Sequence, residues 1–258
     1  MPRFAANLSM MFSEHAFLDR FEAAAAAGFE AVEFLFPYDY PAKDIAARRI
    51  VAGVEQALFN LPPGDWGGGE RGLAALPERK AEFRQSVRTA LDYATVIGAP
   101  RLHMMAGLAD PGSQTHRAAY RDSLAFAADM AAEQGIEVLI EPLNRRDMPG
   151  YFLNDFDGAA ELIAGLGRGN IKLQFDVYHR QILHGDVIRG LEGLLPVIGH
   201  VQIAAVPHRN EPGTGELDDF RVLKVLDDLG YQGFVGCEYR PRGATLDGLG
   251  WMTRVFRS

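Results

Sequence analysis

Four short runs decide how this chain reads: VLIE (residues 138–141), IKLQFD (171–176), HVQI (200–203) and FVGCE (234–238). Each is a largely apolar, strand-like run, and each carries a polar side chain at or next to its end: Glu141, Asp176, Gln202 and Glu238. These residues lie 35, 26 and 36 positions apart. One carboxylate closing a buried strand is ordinary. Four in register form a pattern, because polar groups that meet in an apolar setting must be paired, hydrogen-bonded or bound to a metal.

Outward from these runs, strand-like and helix-like segments alternate with a period of about thirty residues, the size of a βα unit. Eight strands are predicted: Arg3–Asn7, Ala31–Phe36, Gln56–Asn60, Arg101–Met105, Glu137–Glu141, Lys172–Asp176, His200–Ile203 and Phe234–Glu238. Helical patterns fall at Glu14–Ala27, Pro77–Ile97, His116–Gln134, Asp155–Gly165, Asp186–Ile198 and Asp218–Leu229, several of them stopped by a glycine. No linker or low-complexity stretch divides the chain. Unbroken alternation with few residues left over predicts a single (β/α)8 TIM barrel over residues 1–258, with an open doubly wound sheet as the alternative.

The composition bounds the function. With 258 residues, 48% hydrophobic and 23% charged, the chain can bury a barrel-sized core. A formal net charge of −8 argues against a nucleic-acid groove, and the pairs Arg48-Arg49 and Arg145-Arg146 make no basic stripe. Cys237 is the sole cysteine, so no intrachain disulfide forms, and its apolar strand predicts a small buried thiol. No basic segment precedes a long apolar core, and no stretch approaches the roughly 18–20 apolar residues of a membrane span. A cytoplasmic location without membrane partners is the expectation.

In a barrel of this kind the active site lies at the C-terminal ends of the strands, where Glu141, Asp176, Gln202 and Glu238 would converge. Carboxylates crowded into a small site raise one another's pKa unless a counter-charge joins them, so a divalent cation is the natural partner. An all-oxygen ligand set favours Mg²⁺ or Mn²⁺ over zinc. Taken singly, each residue would more often be a hydrogen-bonding loop cap.

The chain resembles the hydroxypyruvate isomerase family, within the wider group of xylose-isomerase-like barrels that also holds the ketose 3-epimerases. The resemblance runs over nearly the whole length and is carried by VEFLFPYDYP (32–41), LFNLPPGDWGGGERG (58–72), IEPLNRRDMPGYFLN (140–154), FDVYH (175–179), HVQIAAVPHRNEPGTGE (200–216) and GCEY (236–239). It implies a divalent metal held by Glu141, Asp176, Gln202 and Glu238, with Glu141 and Glu238 also serving as acid and base. The epimerases usually place histidine where Gln202 stands; glutamine matches the narrower family, and its amide oxygen is a harder ligand. The implied reaction interconverts hydroxypyruvate and tartronate semialdehyde through an enediolate. A 2-oxo-tetronate isomerase and a ketose 3-epimerase are the near alternatives. A metal-dependent abasic-site endonuclease and a non-catalytic sugar-acid binding protein are remote ones.

Further residues are candidates for the substrate, a small 2-oxo acid or sugar acid. His179 follows Asp176 by three positions and could reach back over the strand end. Arg209 and His208 follow Gln202, and an acid substrate needs a cation such as the two-pronged guanidinium; Arg145 and Arg146 compete for that role. Asp147 stands where the related epimerases carry a carboxylate. His103 either lines the pocket or is a satisfied core histidine. PPGDWGGGERG (62–72) lacks the GK[ST] ending of a phosphate-binding loop; its residues fit a mobile lid with Trp66 as its apolar plug and a disordered surface loop equally, and the resemblance favours the lid. Self-association into a homo-oligomer is expected by analogy with the superfamily.

Overall fold

The computed structural model describes residues 2–255. Eight parallel strands, β1 (Arg3–Asn7), β2 (Ala31–Phe34), β3 (Glu55–Asn60), β4 (Arg101–His103), β5 (Glu137–Ile140), β6 (Ile171–Asp176), β7 (Ile198–Ile203) and β8 (Phe234–Cys237), close in sequence order. Pairing of Arg3–Ala6 with Phe234–Cys237 joins β1 to β8 and excludes an open sheet. Around the barrel run α1 (Arg20–Ala26), α2 (Ala42–Ala52), α3 (Lys80–Ile97), α4 (Gln114–Ala132), α5 (Phe156–Leu166), α6 (Val177–Leu183), α7 (Val187–Leu194) and α8 (Asp219–Asp228), followed by the short α9 (Thr245–Gly248) and α10 (Met252–Val255). Among the described residues no helix is long and apolar enough to cross a membrane.

The helices bury one stripe each against the strands. On α3 the buried residues Phe83, Val87, Ala90, Leu91, Ala94 and Ile97 recur every three or four positions, and Gly98, at φ 77°, ends the helix in the left-handed conformation. Helix α2 was not among the predicted helices. Only Ile45 and Ala46 of its eleven residues are buried, while Ile50 and Val51 face outward, so it lacks the apolar periodicity that makes a helix legible. A second departure bears on the site. Strand β6 passes straight into α6, with Asp176 as the N-cap whose side chain accepts from Tyr178 N, so FDVYH is a strand-to-helix corner and His179 lies in a helical first turn.

Inside the barrel the period-two alternation of strand side chains sorts the residues into layers. At one level Ala5, Ala31, Ala57 and Phe234 form a small apolar plug of their own. Elsewhere inside the barrel, positions on β1, β2, β6 and β7 turn polar: Asn7, Glu33, Gln174, His200 and Gln202 are all buried. The outward-facing neighbours Phe4, Val32, Phe175, Val201 and Val235 belong to the main core under the helices.

The β7–α8 loop, which carries His208 and Arg209, is pinned by Asp219. That side chain is fully buried; its Oδ2 accepts from Gly213 N at 2.6 Å while Oδ1 has no partner. Burial pushes its carboxyl up to about 6, against the pull of the Gly213 N–H. A raised carboxyl pKa means that the folded chain holds the proton more tightly than the unfolded one, so this contribution to stability is full below about pH 4 and lost as pH rises through about 6. The D219N variant should therefore gain in Tm relative to the parent as pH is raised from 4 to 8; a difference that does not change with pH would contradict this.

Candidate active site

The four polar strand ends are joined by short contacts. Glu141 stands one residue beyond β5, Asp176 closes β6, Gln202 is the penultimate residue of β7 and Glu238 follows β8. Gln174 Nε2 donates to Glu141 Oε2 at 2.9 Å and to Gln202 Oε1 at 2.6 Å. On the other side Arg209 Nη2 donates to Glu238 Oε2 at 2.8 Å and lies 3.4 Å from Asp176 Oδ2. His179 Nε2 lies 3.5 Å from Asp176 Oδ2 and 4.0 Å from Glu141 Oε1, and His103 Nε2 approaches Glu141 Oε2 to 3.6 Å.

Arg209 holds this position at a conformational cost. Its φ of 56° lies in the left-handed region that side-chain-bearing residues seldom occupy, which costs on the order of 1 kcal/mol or more. The strained turn delivers the guanidinium between two carboxylates and over the Tyr178 ring, 5.0 Å from its centroid. Burial opposes its charge, but Glu238, Asp176 and Glu141 more than compensate and raise its pKa. The carboxylates respond to the same crowding. Burial, then Glu238 and Asp176 beside it, pushes Glu141 well above the ordinary range. Burial lifts Asp176 to about 6 and Glu238 to about 8, with Arg209 pulling both back. Burial and the neighbouring His200 depress His103 to about 3, and burial followed by Arg209 holds His179 well below its usual value, so both imidazoles are neutral.

Several functional residues escaped the sequence reading. Gln174 and His200 lie two positions before Asp176 and Gln202, and a lone Glu within AVEF was the available signal for Glu33. Asn144 is fully buried and hydrogen-bonds His179 Nδ1 through its backbone N at 3.0 Å and its Nδ2 at 2.8 Å. A backbone N–H can only donate, so Nδ1 is the acceptor and the imidazole proton resides on Nε2. His179 therefore turns a donor, rather than a lone pair, toward the carboxylates.

These groups open onto a cavity of about 440 Å³ lined in part by Glu141, His103, His179, Gln202, Arg209 and Glu238, with Trp66 in its wall. The loop that carries Trp66 is braced rather than slack. Glu70 accepts from Asp65 N at 2.5 Å and from both terminal nitrogens of Arg79, Gly68 N donates to Asp65 Oδ1 at 2.8 Å, and Gly72 N donates to Pro63 O at 2.9 Å. Trp66 itself is held between Phe36, 4.9 Å away, and the Arg71 guanidinium at 4.0 Å. The loop expected to form a lid is folded here, with Trp66 in the cavity wall.

Other candidates fall outside the cavity lining. Arg145 donates to Asn154 Oδ1 at 2.9 Å, and with Arg146 it lines a separate surface hollow beside Asp155 and His184. Asp147 is exposed and accepts from Asn144 Nδ2 at 3.2 Å, and His208 is exposed on the loop before Arg209.

The donor chemistry fits a cation. Ligand atoms of Glu141, Asp176 and His179 lie within 4.8 Å of one another, all three residues are buried, and this group could hold a metal ion. Glu141 Oε1 has no hydrogen-bond partner although it is buried, an orphaned acceptor of the kind that a cation satisfies.

Fold and site together define a (β/α)8 barrel enzyme with ionisable groups gathered at the C-terminal rim. Residues 21–255 match the xylose isomerase-like TIM barrel family model, and the chain belongs to that family. It is 58% identical over 254 residues to a 2-oxo-tetronate isomerase of Cupriavidus necator and 43% identical over 254 residues to a hydroxypyruvate isomerase of Escherichia coli, with 98% of each chain covered in both cases. A crystal structure from Brucella melitensis, described as an AP endonuclease of family 2, superposes with a TM-score of 0.96 at 48% identity, covering 98% of this chain and 99% of that one. The protein is an enzyme of the isomerase class.

Because Arg209 is the cation among these carboxyls, R209M should destabilise the metal-free protein. The loss should be larger at pH 8, where Asp176 has shed its proton and Glu238 is partly ionised, than at pH 6, and on the order of 3 kcal/mol at the higher pH. Chemical denaturation in the presence of a chelator measures it; equal losses at both pH values would contradict this charge balance.

Proposed function

We propose that the rim site isomerises a short 2-oxo acid bearing a hydroxyl beside its carbonyl, either hydroxypyruvate or a four-carbon 2-oxo-tetronate. The observation that carries this reading is the pair Glu141 and Glu238, two carboxyls of raised pKa lining one cavity from the ends of β5 and β8. Moving a proton between adjacent carbons needs one group to take it and another to deliver it, and a carboxyl that keeps its proton near neutral pH can deliver. For hydroxypyruvate the proton leaves C3, the enediolate forms, a proton arrives at C2, and the hydroxyl proton passes from the C3 oxygen to the C2 oxygen, giving tartronate semialdehyde with all atoms conserved.

The residues suited to hold a divalent metal are Glu141, Asp176, Gln202 and Glu238. Their oxygen-only chemistry favours Mg²⁺ or Mn²⁺, and the Nε2 proton argues against His179 as a ligand. When bound, the metal would supply Lewis-acid polarisation of the substrate carbonyl and stabilisation of developing negative charge. His179 Nε2–H is placed to donate to a substrate oxygen, and Arg209 to pair with a substrate carboxylate once Glu238 is otherwise engaged. Trp66, in the cavity wall, keeps bulk water from the enediolate.

The 58% identical relative, a 2-oxo-tetronate isomerase, favours the four-carbon acid as the better substrate. Nucleic acid stays outside this reading: a net charge of −8 suits neither a phosphate backbone nor the multi-histidine zinc chemistry of abasic-site cleavage, and the chain has 7 histidines in all.

Proton NMR in D₂O tests the proposal. Chelator-stripped enzyme should be silent, and adding Mg²⁺ or Mn²⁺ should yield the isomer with its carbonyl moved to C3 and deuterium at C2: the aldehyde from hydroxypyruvate, the 3-oxo ketone from the 2-oxo-tetronate, or both. Absence of both product and exchange with either acid overturns it. E238Q should lower turnover by roughly 10²–10⁴-fold, and full activity in that variant would remove Glu238 from the proton transfer.

A further inference from the structure

Glu33 is fully buried on β2, on the far side of β1 and β8 from the strand that carries Gln202. Its carboxylate reaches across the barrel interior and accepts three side-chain N–H groups: Asn7 Nδ2 at 3.0 Å and Gln202 Nε2 at 2.8 Å on Oε1, and His200 Nε2 at 2.7 Å on Oε2. The crossing is possible because β8 offers a glycine there. A Cβ on Gly236 would collide with Glu33 Oε2, and Gly236 is the register partner of Gln202 on one side and Ala5 on the other. Both the charged side chain and the gap it passes through serve this contact.

An amide side chain is nearly symmetric in shape but opposite in chemistry at its two ends, so something must decide which end faces the rim. For Gln202 the two sides impose the same answer. Glu33 can only accept, which draws Nε2 toward β2, while Gln174 Nε2 donates to Gln202 Oε1 at 2.6 Å and to Glu141 Oε2 at 2.9 Å. A flipped amide would set oxygen against the Glu33 carboxylate and one NH₂ against another. We infer that Glu33 is a positioning residue that locks Gln202 with its carbonyl oxygen toward the carboxylates, so that the rim offers a divalent cation an oxygen instead of an NH₂ group. Glu33 acts through Gln202 and touches neither metal nor substrate. The inference rests on the reading of Gln202 as a ligand.

The substitution Glu33→Gln keeps the shape and removes the constraint, since an amide at this position can donate as well as accept and lets Gln202 turn over. The test is the affinity of chelator-stripped protein for Mn²⁺, measured by isothermal titration calorimetry for the parent, E33Q, Q202A and the double variant, with D176N as a ligand-loss control and thermal unfolding to show that each is folded. E33Q should bind Mn²⁺ roughly 10–100-fold more weakly. The double variant should bind no more weakly than Q202A alone, because two residues that act as one unit do not add. Parent-like Mn²⁺ affinity in E33Q, or losses that multiply in the double variant, overturns the inference while leaving the metal site standing. A parent protein that binds no Mn²⁺, or binds it as D176N does, overturns the metal reading and this inference with it. Should E33Q fail to fold, E33D keeps the charge but withdraws the carboxylate by one methylene, and its cycle with Q202A should show the same weakened binding without further loss in the double variant; parent-like affinity in E33D, or multiplying losses, overturns the inference in the same way.

Discussion

Three carboxyl groups and one guanidinium share the rim above β5–β8, and the balance among them governs the rest of the site. Glu141, Asp176 and Glu238 are all buried, and no arrangement of three such groups is stable fully ionised without positive charge nearby. Arg209 supplies part of it, at the end of a turn strained into the left-handed region, and protons held on Glu238 and Glu141 supply more. Such a site is prepared to exchange its protons for a cation. The groups that keep protons near neutral pH also line the cavity, as the proposed proton transfer requires.

The barrel supplies what this balance needs, a rigid frame with two chemical levels. The small residues Ala5, Ala31 and Ala57, with Phe234, fill one level without polar atoms. Other inward side chains are polar and hydrogen-bond one another across the barrel: Asn7, His200 and Gln202 on Glu33, and Gln174 through its Nε2 on both Gln202 and Glu141. A polar layer of this kind is stable only when its donors and acceptors match, and the matching fixes the direction of each amide. Tautomer choice follows the same rule at Asn144, whose donors force the proton of His179 onto Nε2.

The fold was legible because the apolar runs and the glycine-stopped helical patterns repeat at the period of a βα unit, and strand ends such as Glu141 and Glu238 read directly as rim positions. Helix α2 was not legible, because a helix with two buried residues leaves almost no apolar periodicity. The site was half legible. Residues that close strands announced themselves, whereas Glu33, Gln174 and His200 lie within strands, where a polar residue is informative only once its inward neighbours are known. Arg145, His208 and Asp147 were drawn in by their nearness in sequence to Glu141 and Gln202, but the corners after β5 and β7 turn them outward. Arg209, one residue from His208, points inward because its backbone alone adopts the left-handed turn. The loop at 62–72 was legible only as a loop: its glycines permit tight backbone approaches, as at Gly72 against Met105 O, and its hydrogen bonds join residues that composition alone does not pair.

The central claim, that the rim is an oxygen-ligated divalent-metal site, is tested most directly by anomalous diffraction from crystals soaked in Mn²⁺. A single anomalous peak at the rim, within coordination distance of side-chain oxygens from Glu141, Asp176, Gln202 and Glu238 and with the Arg209 guanidinium drawn aside, is the expected result. A peak bound through His179 Nε2 and lacking Gln202 and Glu238, or no peak at the rim, would contradict it.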